Sequence, residues 1–320
     1  MLVHGVAWEC PAAQECPAAQ DRPGAGMPDG GSPALRLRAP SGEPGDVPLA
    51  AGGSLGFRVL GGLWCLGHSK VRGPQERLHV PCPDGAPAER GKQCGPCFAR
   101  DDFRLMHDFH RGGSVPAGLR SYLMQPHWLY LATFAGGATK VGTASAVRKW
   151  QRLAEQGAVR ATYVAHAEDG RVVRILEDLV TQELGTVQLV RSTAKAASLL
   201  EPLADVELSA INKQAAARTR ELLDGLTLSG FSTVEEEWQR PAFAAEACGL
   251  SDSRRRHPYP QAFDGGHHGF TVRSLSGATA LVSLPGEESG FIAGLGALKG
   301  RRIEFGDYRT DVPALQDSLF

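Results

Sequence analysis

The chain reads as an α+β protein with a metal-stapled segment, and three observations carry that reading. Strand-like and helix-like runs follow the order β-β-α-β-α between residues 126 and 186. Four cysteines, Cys65, Cys82, Cys94 and Cys97, lie just before them. Short alternating runs near both ends supply strands for a separate small antiparallel sheet or barrel.

Taken in order, residues 1–30 are rich in Pro, Gly and Ala and contain the direct repeat ECPAAQ at 9–14 and 15–20. Such a composition buries too little surface to offset its ordering entropy, so a disordered tail is expected. Cys10 and Cys16 belong to the repeat and read as copies of a duplicated segment rather than ligands. Residues 31–64 hold short strand-like pieces, LRLR and GFRVLGGLW, between Gly/Pro turns. The cysteine segment spans 65–102.

The central unit, 126–186, opens with WLYLATF. Its alternation places Leu129, Leu131 and Thr133 on one side and Trp128, Tyr130 and Phe134 on the other. Gly136-Gly137 turns the chain and TKVGT returns as the second strand. Val147, Trp150, Leu153 and Ala154 recur at helical spacing up to Gly157, and VRATYVAHA alternates as a third strand. Val173, Leu176, Leu179, Val180 and Leu184 stripe a second helix that stops at Gly185. Residues 190–228 read as two further helices, about 230–265 as irregular chain, and 266–310 as a small β region into which the N-terminal strands could pair.

The totals narrow the function classes. A chain of 320 residues, 42% hydrophobic and 22% charged, can bury a sizeable core. With 34 basic against 35 acidic residues the net charge is −1, so any polyanion binding has to come from a local patch. No apolar run approaches the roughly 18 residues of a membrane span. MLVHGVAWECPAAQ lacks the basic and apolar regions of a signal peptide, so the expected compartment is the cytoplasm. Thiols there favour metal over disulfide. No phosphate-binding glycine motif appears in a strand-to-helix context, so no nucleotide cofactor and no membrane partner are expected.

The cysteine spacing is C-x16-C-x11-C-x2-C. A C-x2-C turn brings two sulfurs to one edge of a tetrahedron, and two distant cysteines complete a closed, structural Zn2+ site. A rival set, Cys94 and Cys97 with His107 and His110, fits the spacing as well. Farther on, Arg148 and Arg152 stand four residues apart on the first predicted helix, hence on one face. Glu177, with Arg174 three residues before it, lies beside the stripe of the second. A carboxylate and guanidinium groups could hold a divalent ion and clamp a phosphate; they could equally form an ordinary salt bridge. Two basic runs, SRRRHPYP and Lys299 with Arg301 and Arg302, read as solvated loops.

The segments LYLATF, KVGT, RKWQRLAEQGA and RILEDL resemble the GIY-YIG fold. More closely, together with CLG, VPCP and QCGPC, they resemble a bacterial and archaeal family of unknown function, domain-of-unknown-function family 2797, over residues 30–310. The GIY-YIG resemblance implies action on DNA or RNA, with divalent-metal (Mg2+) dependent phosphodiester hydrolysis as one outcome and a non-catalytic binding or structural module as the other. It implies Tyr130 at the first tyrosine position, Gly142 as the second motif's glycine, Arg152 or Arg148 as the helix arginine, and Glu177 as the metal-binding glutamate. Lys140 stands where the second tyrosine would act and, with Arg148 and Arg152, would contact a phosphate backbone. No asparagine occupies an obvious place after the second helix.

Overall fold

The computed structural model describes residues 1–10, 31–39, 41–106, 109, 112–249 and 255–311. Cys16, most of the ECPAAQ repeat, His107 and His110 lie outside the described residues, as does the start of SRRRHPYP.

The tail expected over 1–30 does not include its first residues. Leu2–Trp8 forms strand β1 and pairs antiparallel with β2 (Pro33–Arg38). Val3 and Trp8 are fully buried, and Trp8 Nε1 donates to the Gly277 carbonyl at 2.8 Å. Burying an indole and a valine outweighs the ordering cost that the Pro- and Ala-rich composition further on implied. After β3 (Val47–Pro48) and β4 (Ser54–Leu60), a separate two-stranded hairpin forms from β5 (His68–Val71) and β6 (Arg77–Val80). Short helices α1 (Gly95–Arg100) and α2 (Ala117–Leu123) follow. The buried Asp102 carboxylate ties the hairpin down, accepting from Val71 N and from Lys70 Nζ, each at 2.9 Å.

The ββαβα order read from the sequence is the observed one: β7 (His127–Thr133), β8 (Thr139–Ser145), α3 (Lys149–Gln156), β9 (Arg160–Ala167) and α4 (Gly170–Leu184). Then come α5 (Ser192–Ser198), α6 (Asp205–Asp224) and β10 (Phe231–Glu237). β10 falls where irregular chain was expected. It adds to β9 at the edge of an antiparallel sheet of order β10-β9-β7-β8. A run of three glutamates disfavours a strand on its own. Here each finds a cation: Glu235 pairs with Arg220, Glu236 with Lys149 at 2.5 Å, and Glu237 with Lys213 at 3.5 Å.

The predicted alternation of β7 holds. Leu129 and Leu131 pack with Val173, Leu176 and Val180 of α4 and with Ala216 and Leu223 of α6. Tyr130, Ala132 and Phe134 enter the larger core on the other face, with Trp150 and Leu153 of α3.

The C-terminal strands β11 (Arg256–Pro258), β12 (Gly266–Ser276), β13 (Thr279–Ser283), β14 (Gly290–Ala293) and β15 (Arg302–Phe305) join the N-terminal ones. The result is one nine-stranded sheet, β11-β14-β13-β12-β4-β15-β1-β2-β3, larger than the small sheet expected and parallel at β11–β14. Its apolar face shares the larger core with α3, so the two sheets hold α3 between them. No described helix is long and apolar enough to cross a membrane.

Candidate metal centre and cationic site

Cys65 lies in the loop after β4, Cys82 after β6, Cys94 caps α1, and Cys97 sits in that helix's first turn. The four Sγ atoms lie within 4.8 Å of one another, and Cys82 Sγ to Cys94 Sγ is 3.9 Å. Four thiolates at about 2.3 Å from one Zn2+ would stand about 3.8 Å apart, so the donor set fits a tetrahedral ion. The neighbouring backbone is built for sulfur: Gly67 N donates to Cys65 Sγ at 3.3 Å, and amides at Asp84 and Ala86 act on Cys82. Burial raises Cys65 and Cys97 above the ordinary thiol range. Loading a cation there displaces protons, and acid opposes it. Among the described residues this is the one cluster of metal-donor side chains, and it is the all-cysteine set; His107 and His110 of the rival set lie outside the described residues.

The segment is fastened to the large sheet by residues that looked like a solvated basic run. Arg302 lies 3.5 Å over the Trp64 ring and donates to Gly85 O at 3.3 Å; Arg301 donates to Gly62 O at 2.9 Å. Both arginines are half-buried in packing rather than free in solvent.

The second group forms where α3, α4 and β8 meet. Tyr130 is fully buried, and its hydroxyl accepts from Gln156 Nε2 at 2.7 Å with Arg152 against the same phenol. Burial raises Tyr130 above the usual phenol value, against the pull of Arg152 and Gln156. Gly142 is its direct partner in register, and a Cβ there would stand 2.5 Å from the Tyr130 hydroxyl. Only glycine lets the phenol lie across β8. Replacing Gly142 with Ala is expected to push the ring off Gln156 and to destabilise the fold by about 1–3 kcal/mol, as overpacking does. Chemical denaturation measures this; an unchanged midpoint would refute the close approach.

Lys140 stands on the Tyr130 face of β8, 5.8 Å over the phenol ring, and donates to Gln188 O at 3.4 Å. Burial and the nearby Arg152 push it down to about 8. Glu177 is buried on α4 and ion-paired with Arg174; burial raises it, against the attraction of Arg174 and Lys140. Tyr130, Lys140, Arg152 and Glu177 are thus brought into one neighbourhood.

Arg148 ends the 3-10 turn just before α3, at φ −124°, and pairs with Glu155 of that helix.

The group also contains a residue that sequence reasoning passed over. Lys195, from α5, donates to Gln156 O at 3.0 Å and lies 3.9 Å over the Phe134 ring. Burial, Lys140 and Arg152 push it down to about 8. A single lysine in STAKAAS carries no local signal; only the fold brings it beside Gln156. Among the described residues none of Lys140, Arg152 and Lys195 forms an ion pair of its own. The first asparagine after the second helix of the central unit, Asn212 of α6, is spent on structure. It accepts from Thr162 Oγ1 at 2.7 Å and donates to Thr133 Oγ1 at 3.0 Å and Leu131 O at 3.2 Å, on the other face of the sheet.

A mixed α/β protein with a four-cysteine cluster able to hold a metal ion, and with Lys140 buried beside the half-buried Lys195 and the exposed Arg152, can be set beside known proteins. Residues 93–227, from the C-x2-C turn through α6, match the model of a family described as a protein of unknown function (DUF2797). That segment carries the family resemblance read from the sequence, over a shorter span than 30–310. No curated protein and no solved structure matches the chain.

Proposed function

We propose that the chain is a zinc-stapled nucleic-acid-binding protein that grips a phosphodiester backbone through Lys140, Arg152 and Lys195. The observation that carries this reading is the crowding of three cations, with Arg152 against the Tyr130 phenol, Lys140 5.8 Å over its ring and Lys195 on Gln156 O, none of them in an ion pair among the described residues. Like charges packed together at a partly buried place cost free energy, and a bound phosphate relieves it. The ββαβα order and the Tyr130–Gly142 contact agree with the GIY-YIG likeness. Zn2+ on the four cysteines would act as a closed structural ion, with no position left for water.

A second reading, hydrolysis of the same phosphodiester with Mg2+, is favoured by Glu177, a carboxylate beside Lys140. Two features oppose it. Glu177 is already engaged by Arg174, and Tyr130 is held in its neutral form by burial, which suits it to donate a hydrogen bond rather than to take a proton from water.

Fluorescence anisotropy with DNA and RNA at several salt concentrations tests the first reading. Affinity is expected to fall with salt, and Arg152→Glu is expected to weaken binding and to reduce the log–log salt slope by about 1 or more. Binding independent of salt and of Arg152 would overturn it. Lysine charge adds a pH signature. Both lysines are cationic below about 8 and lose charge above it, so affinity should drop as pH rises through that value. Bound phosphate in turn draws protons onto them, which calorimetry in two buffers reads as proton uptake. Nicking that requires Mg2+ and disappears in Glu177→Gln would move the assignment to the second reading.

A further inference from the structure

Beside the cationic group lies a cavity of about 450 Å3. It opens between the end of α3, helix α5 and two turns of the nine-stranded sheet, around residues 276–279 and 294–297. Its volume falls within the range of about 300–1,000 Å3 that holds small organic ligands, and far exceeds the needs of orthophosphate alone. The wall is apolar at Ala196, Leu199 and Ala297, and polar at Gln156 and Thr279. Lys195 stands at one side, where the cavity meets the Lys140–Arg152 group through Gln156. Lys195 is the one cation among the lining residues, and the one carboxylate there, Glu155, is paired with Arg148. A largely apolar chamber with that lysine at one rim, within electrostatic reach of Arg152, matches a ligand with a flat, weakly polar body and one anionic end.

We propose that this cavity receives a single nucleotide, its phosphate on Lys195 and Arg152 and its nucleoside body against Leu199, Ala196 and Ala297. The proposal rests on the phosphate reading of the cationic group and adds to it the part of the ligand that would give selectivity. A continuous duplex keeps its bases stacked inside, so the occupant is a nucleotide free of the stack. Two sources share that chemistry: a free mononucleotide, and an unpaired nucleotide of a strand.

Titration calorimetry of the full chain separates these, with orthophosphate, a 5′-mononucleotide and a short single-stranded oligonucleotide as probes. The mononucleotide is expected to bind at least about tenfold more tightly than orthophosphate, a margin of about 1.4 kcal/mol. Ala297→Trp, at an exposed rim position, should erase that margin while leaving orthophosphate binding in place. Lys195→Ala should weaken both ligands. Unchanged zinc content and melting temperature verify that each variant folds, and Ala196→Leu repeats the blockade from the opposite wall. An oligonucleotide weakened by Ala297→Trp identifies the strand as the source; a mononucleotide bound without the oligonucleotide identifies the free ligand. Equal affinity for orthophosphate and mononucleotide, or indifference of every organic ligand to both blocking variants, overturns the proposal. The two readings fail differently: salt-dependent binding of long strands that ignores Ala297→Trp sinks the cavity assignment alone. Mononucleotide binding without any affinity for long strands sinks the nucleic-acid reading and leaves the cavity assignment standing.

Discussion

Stripping zinc from the purified protein is expected to melt the segment from Cys65 to Arg100 and to leave the central sheet folded. The reason is what holds that segment. Its own cluster of buried side chains is Cys65, Cys94 and Cys97, with Cys82 and Ala86 packed against them, and contains no large apolar residue. A two-stranded hairpin is marginal by itself. A metal on the four thiolates would therefore take the place of a hydrophobic core, and zinc bound by small thiolate sites is worth about 10–16 kcal/mol at neutral pH, more than such a segment could recover elsewhere. Metal analysis should find one zinc per chain, and Cys94→Ser should lose it. Hydrogen exchange after chelation should show lost protection over about residues 65–100, with β7, β8 and β9 still protected. Retained protection across the cysteine loops in a metal-free sample would refute the structural role.

Removal of β1 is the second large effect. A chain beginning at residue 31, or a full-length Trp8→Ala variant, should lose about 3–5 kcal/mol, the usual cost of deleting a large buried aromatic side chain. β1 lies between β15 and β2 in the nine-stranded sheet, its Met1 amino group donates to Ile303 O at 2.7 Å, and Trp8 is fully buried. The strand also reaches the cationic group, because Gln151 Nε2 of α3 donates to Trp8 O at 2.6 Å. Truncation should therefore shift α3, and with it Arg152, and weaken anion binding as well as stability. Urea denaturation of the two variants checks this; a midpoint equal to that of the intact protein would contradict the pairing.

These two cases also mark where sequence reading succeeds and where it stops. The cysteine set was legible because a C-x2-C turn and two flanking cysteines state their chemistry through spacing alone. The ββαβα unit was legible because its strands pair with near neighbours and alternate cleanly, as Leu129 and Leu131 do against Tyr130 and Ala132. β1 was hidden because one partner, β15, lies some 300 residues away and the composition beside it argues for disorder. β10 was hidden because its glutamates are stabilised by lysines and arginines from α3 and α6, which local propensity does not see. Lys195 was invisible for the same reason: nothing in a short alanine-rich helix announces that it will lie over Phe134 and touch Gln156.

The apolar side chains of β7, α3 and the nine-stranded sheet form a single continuous cluster, with Trp150 and Trp238 in it beside Phe57, Leu275 and Leu281. Apart from the chamber itself, this shared apolar packing joins the body that carries the cations to the body that supplies the chamber's far wall. Heat should consequently unravel both in one endotherm, and a guest entering between them would meet walls that cannot swing apart. Admission then depends on rotamer changes at the rim, which gives a narrow choice of guest shapes and little domain motion on loading.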